Sequence, residues 1–344
     1  MVKLKWIRIG LGMIGCLGCN DTSAPLPSEV EVISEIRNET TLFLNRPARL
    51  VTLQVESTDL QRTRQVEIRI MAPTSPYRGD LVLTSGGFGT SFYGIGLETN
   101  STLHFALNAG LRTFEIKWLG PMGWGSGMEG AGYPKAVRAL GAVIRYLKQK
   151  KEISSGLVIA HGGSGGSFQI AYGLTRFQLE NDIHHAILVA GPPTSKLEMA
   201  IFGDQKVRTT WPDGIGGFRI TDYIHGWDKQ GQYCQNRSQI PPHFVISTLD
   251  DSSLLPSRIP MDLTYQTPVY FVNTFDHTHA DAQGRLFFEA IQSSKEWHYI
   301  SNETSHDVAG VRPGAEKIRE ILRRILDKNT PHLSSKSYLG MNRK

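Results

Sequence analysis

The feature that most constrains this chain is a strand that runs straight into a serine set among glycines. Gly156-Leu157-Val158-Ile159-Ala160 is a short apolar run, the pattern of a strand buried on both faces. His161-Gly162-Gly163-Ser164-Gly165-Gly166 follows at once, and Phe168, Ala171 and Leu174 then recur at helical spacing. A chain that passes from buried strand to helix in so few residues must turn sharply. A sharp, strained turn needs small neighbours. The reading therefore stands Ser164 at the carboxyl edge of a sheet, with the Gly165 N–H at the start of a helix and aimed at developing negative charge.

The flanking segments alternate between strand and helix patterns. Arg49–Glu56 and Gln65–Met71 alternate apolar and polar residues, as half-exposed strands do. Leu81–Thr84 is a buried strand that ends at Gly86-Gly87. Ser101–Ala109 reads as a helix and Leu111–Trp118 as the next strand. Pro134 opens a helix whose Val137, Leu140, Ile144 and Leu147 share one face. Ala186–Ala190, Pro268–Asn273 and Trp297–Ser301 read as strands, Ala282–Gln292 as a helix, and Pro313-Gly314 as the start of a terminal one. This rhythm predicts an α/β fold, a mostly parallel sheet with helices on both faces. Between Gly191 and Thr267 the rhythm fails. A long aperiodic stretch of this kind is expected to be an inserted cap, over residues 192–266. The core is then expected over 49–191 and 267–328, with a tail at 329–344.

The amino terminus reads as a targeting signal over residues 1–19. Lys3, Lys5 and Arg8 precede a short apolar run from Ile7 to Leu17, too short to span a bilayer. Gly15-Cys16 and Gly18-Cys19 are each similar to the lipid-attachment site of bacterial lipoproteins, although Met13 and Cys16 stand where that pattern has Leu. This resemblance implies export across the inner membrane and a lipid anchor on Cys16 or Cys19 at the cell envelope. A plain secretory signal would leave the protein periplasmic or extracellular. Residues 20–48 are expected to be a tether and extension, with Pro25 and Pro27 in its first part. The net charge is +5, and losing Lys3, Lys5 and Arg8 would leave +2. So small a charge gives no reason to expect nucleic acid as a partner. Cys234 is the one cysteine beyond the signal, so no internal disulfide can form there.

Gly162-Gly163-Ser164-Gly165-Gly166, in its strand-turn-helix setting, resembles the nucleophile turn of the α/β-hydrolase superfamily. The resemblance covers residues 49–328. It implies an α/β-hydrolase fold and the chain order serine, acid, histidine. The acid would lie in Val272-Asn273-Thr274-Phe275-Asp276 and the histidine in Thr304-Ser305-His306-Asp307. Asp276 lies 112 residues after Ser164, and His306 lies 30 residues after Asp276, room for one helix and one strand. The implied roles are Ser164 as nucleophile, His306 as general base then acid, and Asp276 as its orienting partner. The N–H of Gly165 and one from Gly87 or Phe88 would bind the oxyanion, and the sequence leaves the second donor open. The substrate so implied is a small-molecule carboxylic ester, with no metal or organic cofactor required. The same triad would serve a peptidase or amidase, and a binding protein could keep the fold without turnover.

Rival residues are few. Ser167 is the other serine beside the turn, Asp281 the nearest substitute acid, and His279 and His298 the substitute bases. Asp276-His277-Thr278-His279-Ala280-Asp281 is similar to the H-x-H-x-D core of metallo-β-lactamase-fold hydrolases. That motif would need a histidine where Ala282 stands, and further histidines well downstream of it. The glycine run lacks the Lys-Ser/Thr ending of a phosphate-binding P-loop. Trp118, Trp124, Trp211, Phe218, Tyr223 and Trp227 are candidates for a pocket lining, as is the stretch Gly120–Gly132.

Overall fold

The structure is a computed structural model that describes residues 30–204, 206, 216–227, 249–258, 261, 263–275 and 280–329. One nine-stranded sheet organises them. In chain order its strands are β1 (Val30–Phe43), β2 (Arg46–Ser57), β3 (Arg62–Met71), β4 (Gly79–Thr84), β5 (Leu111–Trp118), β6 (Val158–Gly163), β7 (His185–Val189), β8 (Val269–Thr274) and β9 (Lys295–Ile300). The spatial order is β1-β2-β3-β5-β4-β6-β7-β8-β9. From β5 to β9 every pairing is parallel, whereas β1, β2 and β3 add an antiparallel edge. The sheet begins earlier than the sequence reading places it. Val30–Phe43, inside the stretch read as tether and extension, pairs with β2 along its whole length.

Alternate residues of the parallel strands feed two separate cores, as the two-residue period requires. Val82, Ala160, Leu188 and Phe271 face one core. Helices α2 (Tyr133–Val137), α3 (Ala139–Gln149), α4 (Gly165–Arg176) and α7 (Ala280–Ala290) cover it. Leu83, Ile159, Ile187 and Val272 face the other, covered by α1 (Leu97–Asn108) and α8 (Arg312–Asn329). The short helices α5 (Leu197–Phe202) and α6 (Gly216–His225) lie in the segment read as a cap. Their Leu197, Ile201 and Ile224 join the first core rather than forming one of their own.

The topology fixes where a site can form. Strand β4 sits between β5 and β6. The chain leaves β4 towards α1 on one face and leaves β6 towards α4 on the other. Such a divergence opens a crevice at the carboxyl ends of the two strands. Thr84 pairs with Gly162 across this point. The loop after β4 and the turn at Ser164 are therefore the two walls of one crevice.

Candidate active site

Ser164 is the first residue off β6, and its backbone is strained. Its φ of 44° and ψ of −109° lie where L-residues rarely sit. Hydrogen bonds hold it there. Its N–H donates to the Val189 carbonyl at 2.7 Å, and its own carbonyl accepts from the Phe168 N–H at 3.0 Å. Ser164 is 7% exposed at the edge of the crevice.

The glycines around it differ in what they must be. A Cβ on Gly162 would come within 2.6 Å of Thr84 Oγ1 and 2.5 Å of the Gly166 carbonyl carbon. A Cβ on Gly165 would collide with the Gly87 carbonyl oxygen, and one on Gly166 with Thr84. Gly163 is unlike them: its nearest neighbour would be the Gly86 nitrogen at 3.9 Å. The expectation that both residues flanking Ser164 must be small therefore holds on one side only.

His306 lies in the loop between β9 and a 3-10 turn at Val308–Gly310. Its Nε2 is 2.8 Å from Ser164 Oγ. The loop that carries it is anchored to the sheet: Thr274 Oγ1, at the end of β8, donates to the Ser305 carbonyl at 2.8 Å. Asp307 then accepts from the Gly310 N–H at 3.1 Å and closes the 3-10 turn. Asp276, read as the acid, lies outside the described residues, as do His277 and His279. The described chain reaches Phe275, directly after the carboxyl end of β8.

The rivals are placed elsewhere. Ser167 is fully buried, and its hydroxyl donates to the Ser164 carbonyl at 2.6 Å. His298 lies on β9 in an ion cluster, 3.1 Å from Glu296, which Arg324 also pairs at 2.7 Å. Asp281 lies in the first turn of α7. Among the described residues no group of three or more His, Cys, Asp or Glu side chains could hold a metal ion. Cys16, Cys19, Trp211 and the Phe218 side chain lie outside the described residues.

The opposite wall is the turn Gly86–Gly89, closed by the Gly89 N–H on the Gly86 carbonyl at 3.0 Å. A Cβ on Gly86 would sit 3.6 Å from Ser164 Cβ, so this backbone packs directly against Ser164. The N–H groups of Gly87 and Phe88 donate to no described residue. Gly165 heads α4, where a backbone N–H has no partner within the helix. Three backbone N–H groups without a described acceptor thus belong to the two walls of the crevice.

Behind this wall lies an aromatic cluster. Trp124, Tyr133 and Phe168 are all buried, with Tyr133 edge-on to Phe168 at 4.8 Å. Trp118 is core, 1% exposed. A polar seam, not legible in the sequence, ties α6 to this cluster. His225 Nδ1 donates to the Thr221 carbonyl at 2.7 Å, so its Nε2 accepts from Ser252 Oγ at 2.8 Å. Tyr133 and Thr221 share a hydroxyl contact of 2.6 Å. Trp227 stacks on the His225 ring at 4.6 Å.

Burial pushes His225 and His161 down to about 4 from an ordinary 6.5. His161 is on β6, three residues before Ser164, edge-on to Tyr93 at 4.8 Å. Both are neutral in the folded chain, and the unfolded chain binds protons first. Their contribution to stability is thus complete above about pH 6.5 and is lost as pH falls towards about 4. The loss is on the order of 3 kcal/mol for each group. Thermal melts between pH 7 and pH 4 are expected to fall steeply, and less so for His161→Phe. Parallel melting curves for the two proteins would contradict this account.

No family model matches the chain, and no curated protein matches it. Among solved structures it is similar to alpha/beta hydrolase domain-containing protein 10 from mouse, at 12% identity and a TM-score of 0.50, covering 86% of this chain and 100% of that one. It is also similar to Est1E from Butyrivibrio proteoclasticus, at 12% identity and a TM-score of 0.49, covering 85% and 98%. At such identity the likeness to the mouse protein is one of fold. Together with the strand order and the turn at Ser164, it assigns the chain the α/β-hydrolase fold.

Proposed function

We propose that this chain is a serine hydrolase that cleaves a carboxylic ester through an acyl-enzyme on Ser164. The 2.8 Å contact between Ser164 Oγ and His306 Nε2 carries the reading. A serine hydroxyl is a poor nucleophile until a base takes its proton, and a neutral imidazole at this distance can do so. Ser164 attacks the ester carbonyl while its proton passes to His306. The carbonyl oxygen becomes an oxyanion facing the N–H of Gly165 and that of Gly87 or Phe88. His306 then protonates the departing alcohol, water enters, and the same steps in reverse order of roles release the acid. Asp276, two residues after the end of β8 in the sequence, is the acid that this reading assigns to orient His306 and offset its positive charge. Strong support comes from position: serine turn, donor loop and histidine loop all follow carboxyl ends of adjacent or nearby strands.

A panel of p-nitrophenyl esters from acetate to decanoate, with aminoacyl-p-nitroanilides beside them, tests the reading. Ester turnover that disappears after fluorophosphonate treatment is expected. Anilide turnover without ester turnover would move the protein to the peptidases, and neither turnover nor labelling would leave only a binding role. We also propose export with a lipid on Cys16 or Cys19. In a bacterial host, the full chain is then expected in the membrane fraction, and the double variant C16A/C19A in the soluble one. Membrane retention of the double variant would reject the anchor.

A further inference from the structure

The turn Gly86–Gly89 has no secondary structure of its own to hold it, yet it must keep its N–H groups fixed beside Ser164. Its carbonyls show how this is done. The Gly86 carbonyl accepts from Gly89 N–H at 3.0 Å, and the Gly89 carbonyl accepts from Trp118 N–H at 2.8 Å. Trp124 takes the two between. Its indole Nε1–H donates to the Gly87 carbonyl at 3.0 Å, and its main-chain N–H donates to the Phe88 carbonyl at 3.0 Å. Four successive carbonyls are therefore tied. A trans peptide is planar, so each tied carbonyl turns the next N–H to the opposite side. Fixing the Gly86 and Gly87 carbonyls fixes the Gly87 and Phe88 N–H directions.

Trp124 is itself held from behind. Arg64, on β3, is buried, and its Nη1 donates to the Trp124 carbonyl and, at 2.6 Å, to the Ala136 carbonyl. The guanidinium also lies 5.5 Å from the Trp118 ring centroid. Its Nε and Nη2 reach no acceptor among the described residues, so this cation is buried at a real cost. The close fit of the two loops depends on Gly123, with a φ of 50°, where a Cβ would collide with the Phe88 carbonyl. A sheet residue thus reaches the crevice wall in two steps, through one tryptophan.

We infer that Trp124 is a positioning residue that fixes the turn carrying the second oxyanion donor, the N–H of Gly87 or Phe88, and that Arg64 locks Trp124 in place. The inference rests on the reading of Ser164 as an ester-cleaving nucleophile. Trp124 touches no reacting atom. Its contribution lies in preorganisation, the property that makes fixed donors effective in a transition state.

The test compares Trp124→Phe, Arg64→Met and Arg64→Lys with the unaltered protein. Loss of a whole oxyanion donor lowers kcat by roughly 100-fold to 1,000-fold, so loosening the donor in this turn in Trp124→Phe is expected to lower it by about 10-fold to 100-fold. KM is expected to stay within about twofold, because a ground-state ester needs these donors less. Affinity for a trifluoromethyl ketone, which forms a tetrahedral adduct with serine, is expected to fall in step with kcat/KM. Arg64→Met is expected to follow Trp124→Phe, and Arg64→Lys, which keeps a cationic donor, to recover part of the loss. Hydrogen exchange at the Gly89 and Trp124 amides is expected to quicken in Trp124→Phe and Arg64→Met while amides of the central strands stay protected.

Unchanged kcat in Trp124→Phe would overturn the proposal, as would a raised KM with kcat intact, which would make Trp124 a pocket wall. If the unaltered protein turns over no ester and takes no fluorophosphonate, the ester reading fails by itself. Hydrogen exchange then still decides the clamp, and unchanged exchange in both variants would reject it.

Discussion

Ser164→Ala is expected to abolish ester turnover, lowering kcat by at least about 10,000-fold, and to end fluorophosphonate labelling. The variant keeps the fold, because the hydroxyl is not what holds the turn. That work is done by the Ser164 N–H on Val189 and the Ser164 carbonyl beneath Phe168 and Ser167. His306→Ala is expected to lose nearly as much, and the double variant little more than either alone, since the two residues act as one unit. A second measurement separates the chemistry from the strain. The φ of 44° at Ser164 is a conformation that glycine adopts freely. Ser164→Gly is therefore expected to be inactive yet to melt no lower than Ser164→Ala, with relief of about 1–3 kcal/mol of strain partly offset by a more flexible unfolded chain. Wild-type turnover in Ser164→Ala would remove this residue from the mechanism.

The turn at Ser164 was legible because two strong local signals meet there. The apolar run 157–160 ends in glycines, and helical spacing starts at once. The strands from β4 to β8 were legible for a related reason, being buried on both faces. Strand β1 was not. Glu31, Glu35, Arg37 and Glu39 interrupt its pattern, and register shifts at Val32/Ser34 and Glu35/Arg37 break its period. An edge strand with charges facing water reads like a linker. Arg64 was hidden differently. A charged residue at the start of a strand suggests solvent, and nothing local reveals that its acceptors come from residues 124 and 136. The seam at His225 depends on Thr221, Ser252 and Tyr133, which only the folded chain brings together. Period and composition report which face of an element is buried. They do not report which distant backbone atom a polar side chain will meet.

Two neighbouring glycines give the sharpest contrast in expected stability. Gly165→Ala would drive a Cβ into the Gly87 carbonyl oxygen, with the Gly87 carbonyl carbon only 3.0 Å away. The obstacle is backbone, and the Trp124 indole holds that carbonyl where it is. Relief requires the turn Gly86–Gly89 to move away from α4, which separates the Gly165 N–H from those of Gly87 and Phe88. The expected result is a loss of about 1–3 kcal/mol in stability and at least about 100-fold in turnover, because a shift near 1 Å at a reacting centre has that effect. Gly163→Ala, two residues away on the other side of the serine, meets nothing closer than 3.9 Å and has no positive φ. It is expected to keep turnover within about threefold, and to melt at or slightly above the unaltered protein, since alanine restricts the unfolded chain by about 0.4–1 kcal/mol. Equal damage from the two substitutions would mean that the crevice is not bounded by the Gly87 carbonyl. Equal tolerance would mean that the turn can yield without disturbing catalysis, and the oxyanion donors would then have to be sought elsewhere on the crevice wall.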